Sequence, residues 1–137
     1  VGNVYIIDVG VRNSGDLTQI IKQMEGIDLI EYTIKAALNE DCSDLVNIEP
    51  KGYGAVYTII NEKEGLFKYL EIEEGLRRDN IVETRLINIL SGSKVEKNKY
   101  LGTVLLKFSS MTEMLDKMDN MKSNIKVFVE EETTVIN

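Results

Sequence analysis

The chain has 137 residues, of which 43% are apolar and 28% charged, and it carries a formal net charge of -7. This composition is typical of a folded globular domain and excludes a disordered segment. The excess of acidic residues argues against a nucleic-acid-binding protein and against binding to an acidic membrane, because phosphate groups attract basic surfaces.

Missing residue types restrict the chemistry further. The sequence has no histidine, which removes the commonest general base and metal ligand. The single cysteine, Cys42, cannot form an internal disulfide and lies among acidic residues, so we expect a spectator thiol in a reducing cytoplasm. No apolar run reaches the roughly 18 to 20 residues of a membrane helix, and no leader is recognisable. From the abrupt start at Val1 we expect a piece of a longer chain.

The first part of the chain predicts a strand and a helix. Residues 4–9 are rich in β-branched and aromatic side chains, as expected of a strand covered on both faces. Asp16 with Gln19 fits a capping box for a helix that Gly26 ends. The apolar positions of this helix follow helical spacing: Leu17, Ile20, Ile21 and Met24.

A second helix and a boundary follow. Asp28 with Glu31 forms another capping box, and the helix should stop near Asn39. Residues 39–54 collect acids, Asn, Ser, Gly and the only proline, which is typical of a linker. We therefore expect one domain over residues 1–48 and a second over residues 49–137.

The second part predicts strands and one clear helix. Ser110 with Glu113 forms a capping box that opens a helix with a methionine stripe, which we interpret as adaptable core. Residues 70–78 fit a short helix or an irregular connection equally well. Strands are predicted at residues 55–60, 81–90 and 102–109 and in the alternating tail NIKVFVEE, with turns at Glu64-Gly65 and Ser91-Gly92.

One constellation near the start could carry chemistry. Asp8 lies at the end of the predicted first strand, where burial of an acid is costly unless a cation meets it. Magnesium, which prefers oxygen ligands, is one such cation, and Arg12 beyond the strand suits bidentate contact with phosphate or carboxylate. Gly15 allows close backbone approach in the turn. The alternative is an internal ion pair between Asp8 and Arg12 that only fixes the turn.

The order IIDVGVRNSGD, then EGIDLIEYTIKAALNE, resembles the closing segment of ATP-grasp ligases. That segment usually runs Glu-x-Asn-x-Arg, a Gly-rich turn, and a Gly-hydrophobic-Asp-Leu step into a helix. The part from GYGAVYTIINEKEG to GTVLLKFSS resembles the small carboxyl-terminal domain of carboxylate-amine ligases, including the L-amino-acid ligase and biotin-carboxylase-like branches. The resemblance implies an α+β fold: the end of an ATP-grasp domain, a strand plus two helices, followed by a small antiparallel sheet with one or two helices.

The resemblance also implies roles for three residues. Asp8 stands where the family has a glutamate that holds magnesium bridging the ATP phosphates. Arg12 matches the catalytic arginine that contacts phosphate or the acyl-phosphate substrate, and Gly15 matches the turn glycine beneath it. Asp8 is shorter than the usual glutamate, and Gly10 replaces a second metal-binding asparagine, so a two-metal site is in doubt.

The implied activity is ligation of a small-molecule carboxylate to an amine through an acyl phosphate, with ATP and magnesium. The ATP-gripping sheet, the phosphate-covering loop and the first metal carboxylate lie upstream in the family and are absent from this sequence. We therefore expect a carboxyl-terminal fragment that needs the upstream ATP-grasp lobes and is inactive alone.

Two other functions fit the sequence. The first is a non-enzymatic dimerisation or partner-docking module, in which residues 81–90 form an edge strand that pairs across a homodimer, with Glu83 and Arg85 restraining other pairings. The second is a biotin-carboxylase-like fragment that acts on bicarbonate.

Overall fold

The computed structural model describes residues 14–46 and 49–131, which form helices and two small sheets. The predicted strand at residues 4–9, with Asp8 and Arg12, lies outside the described residues. In chain order the elements are α1 (Gly15–Glu25), α2 (Leu29–Ala37), β1 (Tyr53–Ile60), β2 (Gly65–Ile72), α3 (Glu74–Asp79), β3 (Ile81–Leu86), β4 (Lys94–Val95), β5 (Tyr100–Phe108), α4 (Met111–Asp119), α5 (Met121–Asn124) and β6 (Ile125–Glu130).

Helix α1 starts earlier than its sequence predicts. The residue before it is Ser14, whose carbonyl accepts the N–H of Thr18 at 3.0 Å, and Asp16 lies inside the first turn. The predicted cap at Asp16 is therefore wrong, because its carboxylate is engaged by a residue far along the chain. The predicted end is confirmed: Gly26 has φ 77° and donates its N–H to the carbonyl of Lys22.

Helix α2 has the predicted cap. The carboxylate of Asp28 accepts the N–H groups of Ile30 and Glu31 at 3.1 and 3.3 Å. The helix ends at Ala37. Asn39 has φ 63°, which is not a helical conformation, so the predicted end near Asn39 is confirmed. None of the residues in α2 is buried.

The strands form two antiparallel sheets, and the predicted α+β fold is confirmed. Sheet A has the order β1-β5-β3 and sheet B the order β4-β2-β6. Strand β5 lies at the centre of sheet A and is buried along nearly its whole length, so it is the central strand of the core. Both sheets share one apolar core with α3, α5 and part of α4: Ile59, Phe67, Leu76, Val95, Leu101, Val104, Leu106, Phe108, Met121 and Ile125.

The predicted strands differ from the observed ones. Strands β2 and β4 were not predicted, and the predicted strand at residues 81–90 ends at Leu86. Of the two alternatives for residues 70–78, the short helix is confirmed from Glu74 onward, where α3 begins, whereas the residues up to Ile72 belong to the end of β2. Strand β2 was missed because its first residue, Gly65, has the signature of a turn; it has φ 149° and lies against the backbone of Glu130.

Helix α4 confirms its predicted cap and most of its predicted core face. The Ser110 hydroxyl accepts the N–H of Glu113 at 3.1 Å. Met114 and Met118 pack against the core and Met121 is buried, whereas Met111 is 47% exposed. The methionine stripe therefore belongs to the core for most of its length.

Helix α1 lies directly on sheet A. A Cβ placed on Gly54 of β1 would overlap the Cγ2 atom of Ile20 in α1. At the carboxyl end of the helix, the carbonyl of Met24 accepts the N–H of Lys51 at 2.9 Å. These contacts fix the helix on β1 and so set where its amino-terminal end lies.

Candidate functional site

Of the three residues to which the sequence assigns a site, only Gly15 is among the described residues. It is exposed at the start of α1, and among the described residues nothing lies within 4 Å of a Cβ built on it. The side chain of Ser14 makes no capping hydrogen bond to the helix. The amino-terminal end of a helix carries a partial positive charge and suits an anion, so this geometry fits a phosphate near Gly15.

Beside this helix end lies a charged cluster formed by Asp16, Glu83 and Arg85. The Nε and Nη2 atoms of Arg85 donate to the two carboxylate oxygens of Glu83 at 2.7 and 2.9 Å. Its remaining nitrogen, Nη1, donates to Asp16 Oδ1 at 2.7 Å. Arg85 therefore joins the edge strand β3 to the first turn of α1.

Within this cluster, Glu83 and Arg85 stabilise each other's charged forms. The Glu83 carboxylate raises the pKa of Arg85, and the guanidinium in turn lowers the pKa of Glu83. The three side chains keep 34%, 36% and 42% of their surface exposed for Asp16, Arg85 and Glu83 respectively, so water screens the attraction between them. The contribution of this cluster to folding stability is accordingly small, and its main effect is to fix geometry.

Glu83 and Arg85 were predicted to lie on one strand face, but their link to α1 was not predicted. Residues two apart on a strand share a face, which is the signal that placed the pair together. Asp16 is 69 positions away from Arg85 and was assigned to a helix cap, so no local pattern could join them.

A second polar cluster lines a cavity of about 390 Å³ between the end of α3 and the start of α4. The Asn80 amide and the Ser109 hydroxyl donate to opposite oxygens of the Glu113 carboxylate, at 2.8 and 2.6 Å. The Ser109 N–H adds a third bond, and these donors lower the pKa of Glu113 to about 2. Because both oxygens of Glu113 bond to the protein, the arrangement is a structural network.

Metal-binding groups, membrane spans and the cysteine give no second candidate among the described residues. In residues 14–46 and 49–131, no three His, Cys, Asp or Glu side chains are grouped so that they could hold a metal ion. No helix in the same residues has the length and apolar character needed to cross a membrane. Cys42 is half-buried, and its Sγ atom faces the carbonyls of Tyr32 and Glu40.

The fold has clear counterparts among solved structures. An L-amino acid ligase from Bacillus licheniformis superposes with a TM-score of 0.75 and 20% identity, over 93% of this chain and 33% of that enzyme. Phosphoribosylglycinamide synthetase from Anaerococcus prevotii follows with a TM-score of 0.60 and 20% identity, over 83% of this chain and 30% of that one. N5-carboxyaminoimidazole ribonucleotide synthetase from Thermotoga maritima superposes with a TM-score of 0.56 and 18% identity, over 87% of this chain and 31% of that one.

These likenesses confirm the predicted resemblance to ATP-grasp ligases at the level of the fold. The chain spans about a third of the length of the enzymes that it matches. No model of a protein family matches the sequence, and comparison with curated proteins gave no match.

Proposed function

We propose that this chain is the carboxyl-terminal part of an ATP- and magnesium-dependent carboxylate-amine ligase that acts through an acyl phosphate. The main support is that 93% of the chain superposes on one third of an L-amino acid ligase, with a TM-score of 0.75. The motif with Asp8 and Arg12 directly precedes α1 in sequence, at the helix end where Gly15 leaves the backbone open. The substrates would be a small-molecule carboxylate and an amine, and the enzyme would be cytoplasmic.

In this proposal each residue of the motif has one role. Asp8 holds the magnesium ion, Arg12 binds the phosphate or acyl-phosphate group, and Gly15 lets the backbone at the start of α1 approach the same group. When bound, ATP would supply the phosphoryl group, and the magnesium ion would offset the negative charge of that group. The open helix end at Gly15 fits such an anion, and the described residues alone supply no metal site.

The upstream ATP-grasp lobes would contact an apolar stripe formed by α2 and the residue that follows it. Ile30, Ile34 and Leu38 recur at helical spacing and are 45%, 56% and 64% exposed. Leu17 of α1 is also 56% exposed. An apolar helix stripe of this kind normally faces other protein. We therefore propose that residues 1–48 complete an ATP-grasp domain with the upstream lobes, and that residues 49–137 form the small carboxyl-terminal domain.

The proposal is tested by ADP release from the full-length enzyme with a panel of amino acids. We expect turnover by the wild type, none by the 137-residue chain alone, and a loss of about 100-fold or more in Asp8→Asn without a change in melting temperature. Asp119→Asn, which alters an exposed acid at the end of α4, serves as the matched control. Unchanged turnover in Asp8→Asn would contradict the metal role, and turnover by the chain alone would contradict its status as a fragment.

A second candidate is the non-enzymatic dimerisation or docking module. It is favoured by the position of β3 at an edge of sheet A among the described strands, since an edge strand can pair with another chain. Titration of magnesium-ATP into the full-length protein, with sedimentation velocity beside it, separates the two functions. A concentration-dependent homodimer that binds no nucleotide supports the module, whereas nucleotide binding supports the ligase.

A further inference from the structure

A cleft separates the two sheets at one edge. Strand β1 is an outer strand of sheet A and β6 an outer strand of sheet B, and among the described strands these two are not paired with each other. The cleft between them has a volume of about 180 Å³ and is lined by β1, the turn after β1, α5 and β6. Gly54 of β1 packs against α1, so Tyr57 and Ile59, at odd spacings from it, face the other side of the strand. The cleft therefore lies on the face of sheet A that is opposite α1.

The floor of the cleft is apolar. It is formed by Ile59 and Ile125, which are only 2% and 4% exposed, and by the half-buried ring of Tyr57. The Tyr57 hydroxyl forms no hydrogen bond with any described residue. Partial burial raises the pKa of Tyr57 above its ordinary value, so the hydroxyl keeps its proton at neutral pH and can donate a hydrogen bond to a ligand.

The rim of the cleft is positively charged, although the chain as a whole has a formal net charge of -7. It carries three lysines and one acid, which leaves an excess of two positive charges: Lys63, Lys122, Lys126 and Glu62. Lys126 lies opposite Glu71 of β2 in the sheet, but the two form no ion pair. Lys122 forms an ion pair with Glu62, which raises the pKa of Lys122 and lowers that of Glu62. The Lys122 side chain remains 77% exposed, so its ammonium group is accessible to a second anion.

Asn61 fixes the part of the rim that carries Glu62 and Lys63. It is 1% exposed, and its side-chain amide donates to the carbonyls of Lys63 and Glu96, the latter at 3.0 Å. Its backbone N–H donates to the carbonyl of Lys99 at 2.9 Å. These bonds tie the turn after β1 to the residues between β4 and β5, so buried contacts hold the rim in place.

We propose that this cleft binds a small organic phosphate monoester, with the phosphate among the ammonium groups of Lys63, Lys122 and Lys126. The organic part would lie on the apolar floor, at Ile59 and Ile125. Lysine presents a compact charge that suits phosphate, whereas a carboxylate favours the fork of an arginine, and the lining contains no arginine among the described residues. A phosphate monoester carries about 1.5 to 2 negative charges near neutral pH, which matches the excess on the rim. This inference goes beyond the proposed function and does not rest on it.

Titration calorimetry of phenyl phosphate into the full-length protein, at constant ionic strength, tests this site. We expect wild-type binding with a dissociation constant on the order of 1 mM. Lys122→Gln removes one positive charge and should weaken binding about fivefold. Glu62→Gln removes the acid of the rim and should tighten binding about threefold. Both substitutions break the same ion pair, so a purely structural role of that pair would shift both affinities in the same direction.

Two further variants and a second ligand locate the site. Lys68→Gln breaks a similarly exposed ion pair, with Glu130, outside the cleft and is the matched control, which should bind as the wild type does. Arg12→Gln, which would remove the phosphate contact of the proposed function, should also leave this binding unchanged. Inorganic phosphate, which lacks the organic part, should bind about fivefold more weakly.

The outcomes keep this inference separate from the proposed function. Opposite shifts in Lys122→Gln and Glu62→Gln support the site. No binding by the wild type, or equal weakening in both variants, overturns it and leaves the proposed ligase untouched. Binding that is lost in Arg12→Gln and insensitive to Lys122→Gln would place the phosphate at the proposed ligase site and would also refute the cleft. Equal affinities for phenyl phosphate and inorganic phosphate would refute the apolar floor as part of the site.

Discussion

Asn80 and Glu113 are 33 positions apart in the chain, and the side-chain amide of Asn80 donates a 2.8 Å hydrogen bond to the Glu113 carboxylate. The same amide donates to the carbonyl of Lys107 on β5 at 3.0 Å. Asn80 is only 2% exposed, so three elements, α3, β5 and α4, meet at one buried amide.

Replacing Asn80 with alanine should therefore destabilise the chain strongly. The substitution leaves a carboxylate oxygen and a carbonyl without their donor, and we expect a loss of about 2 to 3 kcal/mol in the free energy of unfolding. Urea denaturation of the chain measures this loss. Asn120→Ala, which removes an exposed amide bonded within its own helix, should cost less than about 1 kcal/mol. Equal midpoints for the two variants would mean that the amide of Asn80 is not structural.

Glu113 should make stability depend on pH in the acid range. Its pKa in the folded chain is about 2, below the ordinary 4.5, so its stabilising effect is complete above pH 4.5 and is lost as the pH falls from 4.5 to 2. Glu113→Gln should be less stable than the wild type by about 1 to 2 kcal/mol near neutral pH, with the difference vanishing toward the acid end. Melting temperatures across this range, with Asp116→Asn on the same helix as control, test the expectation. A constant difference at every pH would argue against an ionised, hydrogen-bonded Glu113.

Burial separates two leucines that look alike in the sequence. Leu76 of α3 is 0% exposed, and Leu76→Ala should cost about 2 to 5 kcal/mol through lost apolar contact and a residual cavity. Leu115 of α4 is 55% exposed, and Leu115→Ala should change stability by less than about 0.5 kcal/mol. Denaturant midpoints of the two variants give the comparison, and a large effect at Leu115 would place that side chain in contact with something beyond this chain.

The apolar stripe of α2 gives a test of the proposed upstream lobes. Ile34 is 56% exposed, so Ile34→Glu should leave the stability of the isolated chain within about 0.5 kcal/mol. In the full-length enzyme the same change would bury a charge, and we expect a drop of about 3 kcal/mol or more in stability. Thermal unfolding of both proteins, with the exposed Glu31→Gln as control, measures the contrast. A full-length enzyme indifferent to Ile34→Glu would show that no other lobe covers α2.

The close packing of α1 on β1 predicts the effect of one methyl group. Gly54→Ala would overlap Ile20, so we expect α1 to shift away from sheet A and stability to fall by about 1 to 3 kcal/mol. Adding Ile20→Val should recover part of the loss. Gly15→Ala, at a position with open space around its Cβ, is the matched control and should leave the free energy of unfolding nearly unchanged. A tolerated Gly54→Ala would mean that the helix is not held at this distance.

Local features of the sequence predicted local structure well. The caps at Asp28 and Ser110 were found because both partners of each hydrogen bond lie within one turn of chain. The assignment of Asp16 failed for the opposite reason, since its partner Arg85 is 69 positions away and reaches it only after sheet A has formed.

The strands show the same division. The buried strand β5 was predicted because its apolar run is unmistakable, whereas β2 was missed because Gly65 signalled a turn and its pairing with β6 is not local. Arg85 also makes a contact that was not predicted, since its Nη1 atom donates to Asp16 of α1. The function was predicted from a resemblance to a family, and the fold supports that resemblance. Asp8 and Arg12, which carry the predicted chemistry, lie outside the described residues.

The contact between Gly54 and Ile20 has a consequence for how such a protein can change over generations. Because the missing Cβ of Gly54 makes room for Ile20, position 54 cannot gain a side chain by itself. A gain of bulk on β1 would be tolerated only together with a smaller residue on α1. The two positions would then change in step, and the start of α1 would keep its place on sheet A while these residues were exchanged.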